Sequence, residues 1–371
     1  MHILHVASGR LFGGIEQMVL TLAAHGRGAG MRAAFAVAAP GRLEEALRAC
    51  GAEVTLLGDV RLRQPASIVR GRLVLTDLLR RTHADVVVFH APWSFALFAG
   101  VARRHGSATV LWQHEPAVGR SLVERWTRRV PADLVICNSQ WTMGTANRLQ
   151  RSGPRVVIHP PVAIAPCPSD ARGEVRAGLG ADPATVVVLG VSRMERLKGH
   201  LNVLRALASL TAVPSWEFWL AGGAQRPHEH AYVAELKAAA ATLGIGPRVR
   251  FLGERRDVSR LLAAADVFCQ MNEAPEAFGV AFAEALLARV PVVTANLGGA
   301  PEIVSNACGI LVPAGDLAAL STALATLMRD GGLRSRLGSV GPTHAAARCA
   351  PEVVLPQLSR ALTAVRRKPA A

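Results

Sequence analysis

Acidic residues and lysine are scarce in this 371-residue chain. It holds 27 Asp and Glu against 42 Lys and Arg, and only three of the 42 basic residues are lysine, so the formal charge is +15. The excess is uneven, because residues 1–165 contain 20 basic and 10 acidic side chains. A field of this sign suits an anionic partner, such as a phosphate-bearing ligand or an anionic lipid surface.

Aromatic residues are also few, at 5% of the chain. Proteins that read single-stranded nucleic acid stack bases on aromatic side chains, and proteins that read duplexes carry recognisable helix-turn-helix or zinc-finger motifs. Neither feature is present in the sequence. We therefore expect no nucleic-acid partner.

Paired cysteines and long apolar runs are missing as well. The six cysteines are scattered without a CxxC pair or a histidine at zinc spacing, which predicts a reducing compartment and no metal site. The start, MHILHVASGR, lacks the basic region of a signal peptide. The most apolar window, residues 85–102, is interrupted by Asp85, His90 and Pro92, so we expect no transmembrane span and a cytoplasmic protein.

Short β-branched runs alternate with helical patterns along the whole chain, which is typical of parallel sheets covered by helices. The alternation is interrupted at residues 160–173, PPVAIAPCPSDARG, which reads as a linker. The sequence thus predicts two doubly wound α/β domains, residues 1–165 and 166–350. A last helical pattern at 351–367 is expected to pack back onto the first domain. Ligands bind beyond the carboxyl ends of such strands, so two facing sheets would define a cleft.

The segment EAFGVAFAE follows a predicted strand and places Glu276 and Glu284 eight positions apart. A helix that begins near Phe278 would leave Glu276 in the preceding loop and Glu284 nearly two turns inside. Its start, at Phe278, Gly279 and Val280, would offer free N–H groups and the positive end of the helix dipole to a phosphate. The two carboxylates could then grip the two ends of a nucleotide sugar.

A second candidate is the loop VSRMERLKGH, which also follows a predicted strand. Arg193 and Lys198 lie at its two ends, where two cations could neutralise a diphosphate. The use of lysine in an arginine-rich chain favours a required point charge at position 198. The alternative is an ordinary solvated basic loop.

Two further candidates lie in the first domain. Gly13 and Gly14 of SGRLFGGIEQ follow the first strand and would let the backbone approach a phosphate. The alternative is a tight turn in which Glu16 favours the helix dipole. The loop is not a GxGxxG fingerprint, which weakens an NAD-dependent oxidoreductase. His114, in LWQHEP, ends another predicted strand and is either a site residue or a structural histidine.

A series of motifs occurs in one order along nearly the whole chain: GGIE, ADLVICNS, SRMERLKG, RVRFLG, EAFGVAFAE, and GGAPEIV followed by GILVPAGD. In order and approximate spacing they resemble the retaining GT-B glycosyltransferases of family 4, the group 1 type. The pairing of E-x7-E with an upstream R-x4-K is the specific part of this likeness. The resemblance implies a GT-B architecture, with two Rossmann-like domains that face an interdomain cleft.

Carried over residue by residue, the family implies that Arg193 and Lys198 bind the donor diphosphate. It implies that Glu276 contacts the donor sugar and that Glu284 binds the ribose. The first three of these residues, together with His114, are the expected catalytic residues. The second domain would hold the nucleotide sugar and the first domain the acceptor.

The remaining assignments from the resemblance rest on less specific motifs. Gly14 would approach the phosphate from the first domain, and His114 would lie near the transferred sugar and the acceptor. Gly299 and Glu302 of the GGAPE turn would line the donor side.

The resemblance implies a metal-independent, retaining transfer of a hexose from a UDP- or GDP-linked sugar to a hydroxyl acceptor, a glycan or lipid-linked intermediate of bacterial envelope synthesis. The departing diphosphate would take the acceptor proton, so no cofactor is expected. Many members act on lipid-linked acceptors, so the arginine pairs at 80/81, 103/104 and 128/129 are candidate contacts with an anionic membrane surface. The alternatives are a nucleotide-sugar epimerase or a donor-binding protein of the same fold.

Overall fold

The β-branched runs of the sequence form parallel strands in the computed structural model, which describes residues 1–213 and 215–366. The chain divides into two units. The N-terminal unit comprises residues 1–161 together with 349–366, and the C-terminal unit comprises residues 162–348.

The N-terminal unit contains a seven-stranded parallel sheet in the order β3-β2-β1-β4-β5-β6-β7. The direction of winding reverses between β1 and β4, and this switch point opens a crevice at the carboxyl ends of the two strands. The strands are β1 (His2–Ala7), β2 (Arg32–Val37), β3 (Glu53–Leu56), β4 (Val86–Phe89), β5 (Ala108–Gln113), β6 (Leu134–Cys137) and β7 (Arg155–Val157).

Helices connect these strands, as the right-handed crossover between parallel strands requires. They are α1 (Gly14–His25), α2 (Arg42–Ala49), α3 (Pro65–Thr82), α4 (Pro92–Arg104), α5 (Leu122–Thr127) and α6 (Gln140–Met143).

The C-terminal unit contains a six-stranded parallel sheet in the order β10-β9-β8-β11-β12-β13, so its switch point lies between β8 and β11. The strands are β8 (Val186–Val191), β9 (Trp216–Ala221), β10 (Val249–Gly253), β11 (Val267–Gln270), β12 (Val292–Ala295) and β13 (Gly309–Val312). The helices are α7 (Ala171–Gly178), α8 (His200–Ala208), α9 (Pro227–Thr242), α10 (Val258–Ala264), α11 (Val280–Leu287), α12 (Ala300–Ile303), α13 (Leu317–Arg329) and α14 (Gly331–Cys349).

The last helix, α15 (Pro351–Val365), belongs to the N-terminal unit. Its buried stripe, Val354, Leu355, Leu358 and Leu362, shares one apolar cluster with residues of β1 and α1. Beyond the helix, the Arg366 Nε donates to Asp85 Oδ1 at 2.8 Å. The pattern at 351–367 therefore forms a helix that packs on the first sheet; its last predicted position, residue 367, lies outside the described residues.

The boundary between the units differs slightly from the sequence prediction. The predicted linker is irregular up to residue 170, but its last three residues open α7, and the units divide after residue 161 rather than 165. Helix α7 buries only Ala171, Val175 and Arg176, and Arg176 pairs with Asp266 at 2.6 Å. The helix is only eight residues long and follows a proline-rich stretch, so the segment reads as irregular.

Within residues 1–213 and 215–366, no helix combines the length and the apolar character needed to cross a bilayer.

Candidate active site

The switch point of the C-terminal sheet brings together two loops that the sequence singles out. Arg193 and Lys198 follow β8, and Glu276 follows β11, the neighbouring strand. The Lys198 Nζ donates to Glu276 Oε2 at 2.8 Å. Both side chains are partly buried, with 23% and 17% exposed. A cation and an anion thus meet at the sheet edge where ligands of doubly wound domains bind.

Glu276 is held by more than its lysine. Asn272 Nδ2 also donates to Oε2 at 2.8 Å, and the Ala277 N–H donates to Oε1 at 3.2 Å. Burial alone would raise the pKa of Glu276, but the Lys198 charge and these hydrogen bonds leave the pKa below its ordinary value. Glu276 is therefore a fixed, ionised acceptor. Asn272 was not predicted, although a polar residue two positions after a buried strand was the available signal.

The backbone after Lys198 approaches the end of β11 very closely. Gly199 has φ +70, and a Cβ on it would lie 1.6 Å from the Met271 carbonyl oxygen. Only glycine fits both the left-handed conformation and this contact. This close approach fixes the position of the Lys198 loop relative to the end of β11, and thereby the position of Lys198 relative to Glu276.

Arg193 pairs with a neighbour that the sequence analysis missed. Its Nη1 lies 2.6 Å from Glu195 Oε1, and Arg226 Nη1 lies 3.6 Å from the same oxygen. The Arg193 Nη1 is buried without a properly aligned hydrogen bond among the described atoms, so an anion could satisfy it. Arg226 is the first basic residue after β9, the strand next to β8, and that position was its only signal in the sequence.

Helix α11 begins at Val280, two residues after Phe278 and within the predicted start, with Gly279 as its N-cap. Gly279 is the residue before the helix and has φ +96, where a Cβ would lie 2.2 Å from the Phe282 ring. A left-handed residue ends any helix that would begin before it. Phe278 is buried, with 2% exposed, and anchors the turn.

Glu284 is the fifth residue of α11, just over one turn inside rather than nearly two. Its side chain is half-buried, and desolvation raises its pKa to about 7. The two carboxylates of the site thus differ in protonation. Glu276 is kept ionised by its partners, whereas Glu284 titrates near neutrality. The ribose role of Glu284 stays a prediction.

The GGAPE turn lies directly against the Glu276 loop. Gly298 bridges Glu276 in parallel fashion, and the Gly299 N–H donates to the Glu276 carbonyl oxygen at 2.7 Å. Glu302 is partly exposed in the four-residue helix α12. The structure therefore places Gly299 beside the pair, and the donor role of both residues stays a prediction.

In the N-terminal unit, the glycine loop forms a capped helix start. The Gly13 N–H donates to Glu16 Oε2 at 3.0 Å, and Gly14 is the exposed first residue of α1. The Gly13 amide is thus occupied by the protein's own carboxylate. Gly14, whose N–H has no acceptor within the helix by position, is the better of the two predicted phosphate contacts.

His114 directly follows β5 and is 8% exposed. Its Nε2 lies 3.0 Å from His90 Nδ1, and burial lowers the pKa of His114 to about 3. His114 is therefore a neutral imidazole at physiological pH. His90 was not predicted as a site residue.

All six cysteines, which lie in the described ranges, are free thiols. In the same ranges, no three or more His, Cys, Asp or Glu side chains are grouped so that they could hold a metal ion.

Two family models match the chain, one on each unit. The model described as glycosyl transferases group 1 matches residues 172–344, and the model described as glycosyltransferase family 4 matches residues 12–165.

Two curated relatives match along most of their length. A GDP-mannose-dependent alpha-(1-6)-phosphatidylinositol monomannoside mannosyltransferase of Mycolicibacterium smegmatis is 31% identical over 76% of this chain and 78% of its own. A GDP-mannose-dependent monoacylated alpha-(1-6)-phosphatidylinositol monomannoside mannosyltransferase of Corynebacterium glutamicum is 27% identical over 78% of each.

Among solved structures, HepE of Anabaena in complex with UDP and glucose superposes with a TM-score of 0.87. The alignment covers 98% of this chain and 100% of that one at 24% identity. A likeness at this identity concerns the fold.

Proposed function

The chain belongs to the group 1 glycosyltransferases of family 4. We propose that it transfers a hexose from a nucleoside-diphosphate sugar to a hydroxyl of a glycan or lipid-linked acceptor. The transfer would retain the anomeric configuration of the sugar. The acceptor would be an intermediate of bacterial envelope polysaccharide or glycolipid synthesis. The reaction would take place at the cytoplasmic face of the membrane.

The observation that carries this proposal is the Lys198–Glu276 pair at the switch point of the C-terminal sheet. An ammonium has three donors, and Glu276 takes one of them, so two remain for the oxygens of a diphosphate. The other oxygen of Glu276, Oε1, accepts the Ala277 N–H and has a second lone pair for a sugar hydroxyl. Gly279 places the N–H groups that open α11 next to Glu276 in the chain, where they would bind phosphate.

Catalysis would then depend on charge stabilisation at the leaving group. Negative charge grows on the diphosphate as the glycosidic bond breaks, and fixed cations stabilise it more in the transition state than in the ground state. Lys198 and Arg193 supply that charge. The diphosphate itself would accept the acceptor's proton, so the proposal requires neither an enzymic base nor a metal ion.

GDP-mannose is our first choice of donor. Two relatives with matches over about three quarters of the chain carry GDP-mannose in their names. HepE, which was solved in complex with UDP, is only 24% identical to this chain, so it carries less weight in the choice of donor.

A donor screen followed by a transfer assay tests the function. GDP-mannose, UDP-glucose, ADP-glucose and dTDP-glucose are compared for thermal stabilisation, where a ligand at 100 times its Kd adds about 2.7 kcal/mol. The stabilising donor is then incubated with membrane lipid extract and with EDTA present or absent. Retaining transfer that is insensitive to EDTA supports the proposal. If the donor sugar is rearranged in the absence of an acceptor, the protein is an epimerase. If the donor binds without any turnover, the protein is a donor-binding protein.

Replacement of the two glutamates is expected to separate their roles. Glu284→Gln should weaken the sugar nucleotide and the free nucleoside diphosphate alike, roughly tenfold each, because both contain the ribose. Glu276→Gln should weaken the sugar nucleotide by a similar factor and spare the nucleoside diphosphate, since Lys198 remains for the phosphates. Calorimetric Kd values for both ligands provide the measurement. Equal losses for both ligands in both variants would contradict the assignment.

The pH dependence supplies a control for Glu284. Its raised pKa of about 7 means that the carboxylate, the better acceptor for ribose hydroxyls, becomes fully populated only above neutrality. Affinity for the nucleoside diphosphate should therefore increase from about pH 6 to about pH 8. The ligand's own phosphates titrate in wild type and in Glu284→Gln alike, so the ratio of the two Kd values isolates the glutamate. If the ratio of the two Kd values does not change with pH, Glu284 does not bind the ribose.

Membrane docking of the N-terminal unit is the second part of the proposal. Each predicted arginine pair contains one residue engaged within the protein: Arg81 with Asp77, Arg103 with the Pro131 carbonyl, and Arg128 with the Gly119 carbonyl. The other members, Arg80, Arg104 and Arg129, are exposed.

An apolar surface accompanies one of these arginines. Leu122 and Trp126 lie one turn apart on α5 and are 79% and 37% exposed, and Val118 in the preceding loop is 65% exposed. Arg125 and Arg129 extend from the same region. Apolar and aromatic side chains flanked by arginine suit the interface of an anionic bilayer.

Replacing the three exposed arginines, Arg80, Arg104 and Arg129, with glutamine is expected to lower binding to anionic vesicles roughly tenfold or more, because each basic residue near the surface contributes about 1 kcal/mol. The engaged set, Arg81, Arg103 and Arg128, is the matched control, since its replacement removes the same number of positive side chains. Co-sedimentation at low salt, with zwitterionic vesicles alongside, measures the effect. If both sets of replacements weaken vesicle binding equally, net charge alone explains the binding. If the wild-type protein stays in the supernatant with anionic vesicles, it does not dock on the membrane.

A further inference from the structure

Three buried histidines lie in a row at the carboxyl edge of the N-terminal sheet. His5 is in β1, His90 directly follows β4, and His114 directly follows β5. These strands are neighbours in the order β1-β4-β5, and the row begins at the switch point. The three side chains are 2%, 2% and 8% exposed.

Hydrogen bonds join the three rings end to end. His5 Nδ1 lies 3.0 Å from His90 Nε2, and His90 Nδ1 lies 3.0 Å from His114 Nε2. The rings lie edge to edge and close to coplanar, with interplanar angles of 23° and 16° and centroids 5.2 Å and 5.3 Å apart. Phe35 stacks on His5 at one end of the row, and Trp112 lies alongside both His114 and His90, with ring centroids 5.6 Å and 5.7 Å away.

This connectivity restricts the tautomers. Each nitrogen-to-nitrogen hydrogen bond needs one N–H and one lone pair, and a neutral imidazole has one of each. The neutral row therefore has two arrangements, in which all three rings carry the proton on Nδ1 or all three carry it on Nε2. In both arrangements His114 Nε2 is occupied by His90, and only Nδ1 remains for a ligand.

Burial keeps the row neutral. Desolvation lowers the pKa of His5 and of His114 to about 3, and it lowers the pKa of His90 well below its ordinary value. The nitrogens point at one another along the row rather than toward a common centre, in keeping with the lack of a metal-binding group in the described part of the chain. The row therefore acts through hydrogen bonds, not through charge.

We propose that His5 and His90 are positioning residues that fix the ring orientation of His114, couple its tautomer to their own and present its Nδ1 alone to the substrate. The inference rests on the proposed function, in which His114 lies beside the transferred sugar and the acceptor. The sequence offers no hint of it, because the three histidines are 85 and 24 positions apart and meet only through the strand order. A hydroxyl bound at Nδ1 would then be oriented by a ring that cannot rotate.

Histidine ring nitrogens report on this proposal without any enzyme assay. In protein labelled with ¹⁵N-histidine, long-range ¹H–¹⁵N correlations give the tautomer of each ring, and His114→Phe assigns the His114 signals. We expect equal tautomer populations in all three rings of wild type, and unequal populations for His5 and His114 in His90→Phe, which keeps a ring in place but removes both hydrogen bonds. Phe35→Leu alters packing at the far end of the row without removing a hydrogen bond, and it should leave the three populations equal to one another. Unequal populations among the three rings in wild type, or equal populations for His5 and His114 in His90→Phe, would overturn the proposal.

A double-mutant cycle tests whether His90 acts through His114. His90→Phe is expected to lower kcat about tenfold with little change in the donor KM, and His5→Phe, which removes only the distant hydrogen bond, should lower kcat less. In a His114→Phe background, His90→Phe should change kcat by less than about twofold. Additive losses would mean that the row only supports the fold. If wild type transfers no sugar, the proposed function fails, and the nitrogen signals still decide the positioning.

Discussion

Replacing Lys198 with alanine is expected to lower kcat/KM at least about 100-fold, because the ammonium stabilises charge that grows on the leaving diphosphate. Its Nζ is bound to Glu276 Oε2 at 2.8 Å and is held there by the loop that ends at Gly199. A fixed cation needs no reorganisation during the reaction, so its loss falls on kcat. Steady-state kinetics with the donor identified in the screen provide the measurement.

Two variants make this result specific. Lys237→Ala removes the other lysine of the C-terminal unit, whose Nζ lies 5.7 Å from the centre of the Phe251 ring, and it should leave turnover unchanged. Lys198→Met combined with Glu276→Gln removes both charges of the pair. If the single variant is inactive only because it leaves a buried carboxylate without its cation, the double variant will recover the activity of Glu276→Gln alone. Recovery, or unchanged turnover in Lys198→Ala, would exclude Lys198 from catalysis.

The two-domain α/β fold was predictable because parallel strands buried on both faces read as short apolar runs. HILHVA and DVVVFH predict strands, and β1 and β4 lie there. The order of the strands is not local information. That β1 pairs with β4, and β8 with β11, emerges only when the crossovers are in place. The family and the GT-B architecture, predicted from the order of the motifs, are confirmed.

The site was predictable in its parts and not in its contacts. Arg193, Lys198 and Glu276 each follow a strand that the sequence shows, so their placement at a sheet edge could be expected. The bond between Lys198 and Glu276 joins residues 78 positions apart and depends on the pairing of β8 with β11. Asn272 and Glu195 were missed for the same reason, since each matters through a partner that the fold supplies.

The start of α11 shows a local limit of pattern reading. The periodic apolar residues around Gly279 suggest a helix that begins near Phe278, since a glycine by itself weakens a helix only modestly. Gly279 adopts a left-handed conformation, with φ +96, which lets the Phe282 ring pack against it and delays the helix to Val280.

Gly199→Ala is expected to lower kcat/KM by about 100-fold or more through geometry alone, because a displacement of about 1 Å in a catalytic group can have that effect. The added Cβ would lie 1.6 Å from the Met271 carbonyl oxygen, a backbone atom that cannot rotate away. The loop that carries Lys198 must therefore move away from β11 and from Glu276. Circular dichroism and denaturant unfolding, run beside the kinetics, separate this shift from a loss of fold.

Gly244→Ala is the matched control for backbone strain. Gly244 follows α9 and has φ +70, the same value as Gly199, but a Cβ on it meets nothing within 4 Å. Both substitutions carry the left-handed penalty of roughly 1–2 kcal/mol, and only Gly199→Ala adds the collision. Unfolding should therefore show a larger loss for Gly199→Ala, and activity should fall in that variant alone. If the two variants are equally stable and equally active, the contact with Met271 does not position Lys198, and the pairing of Lys198 with Glu276 must be maintained by other means.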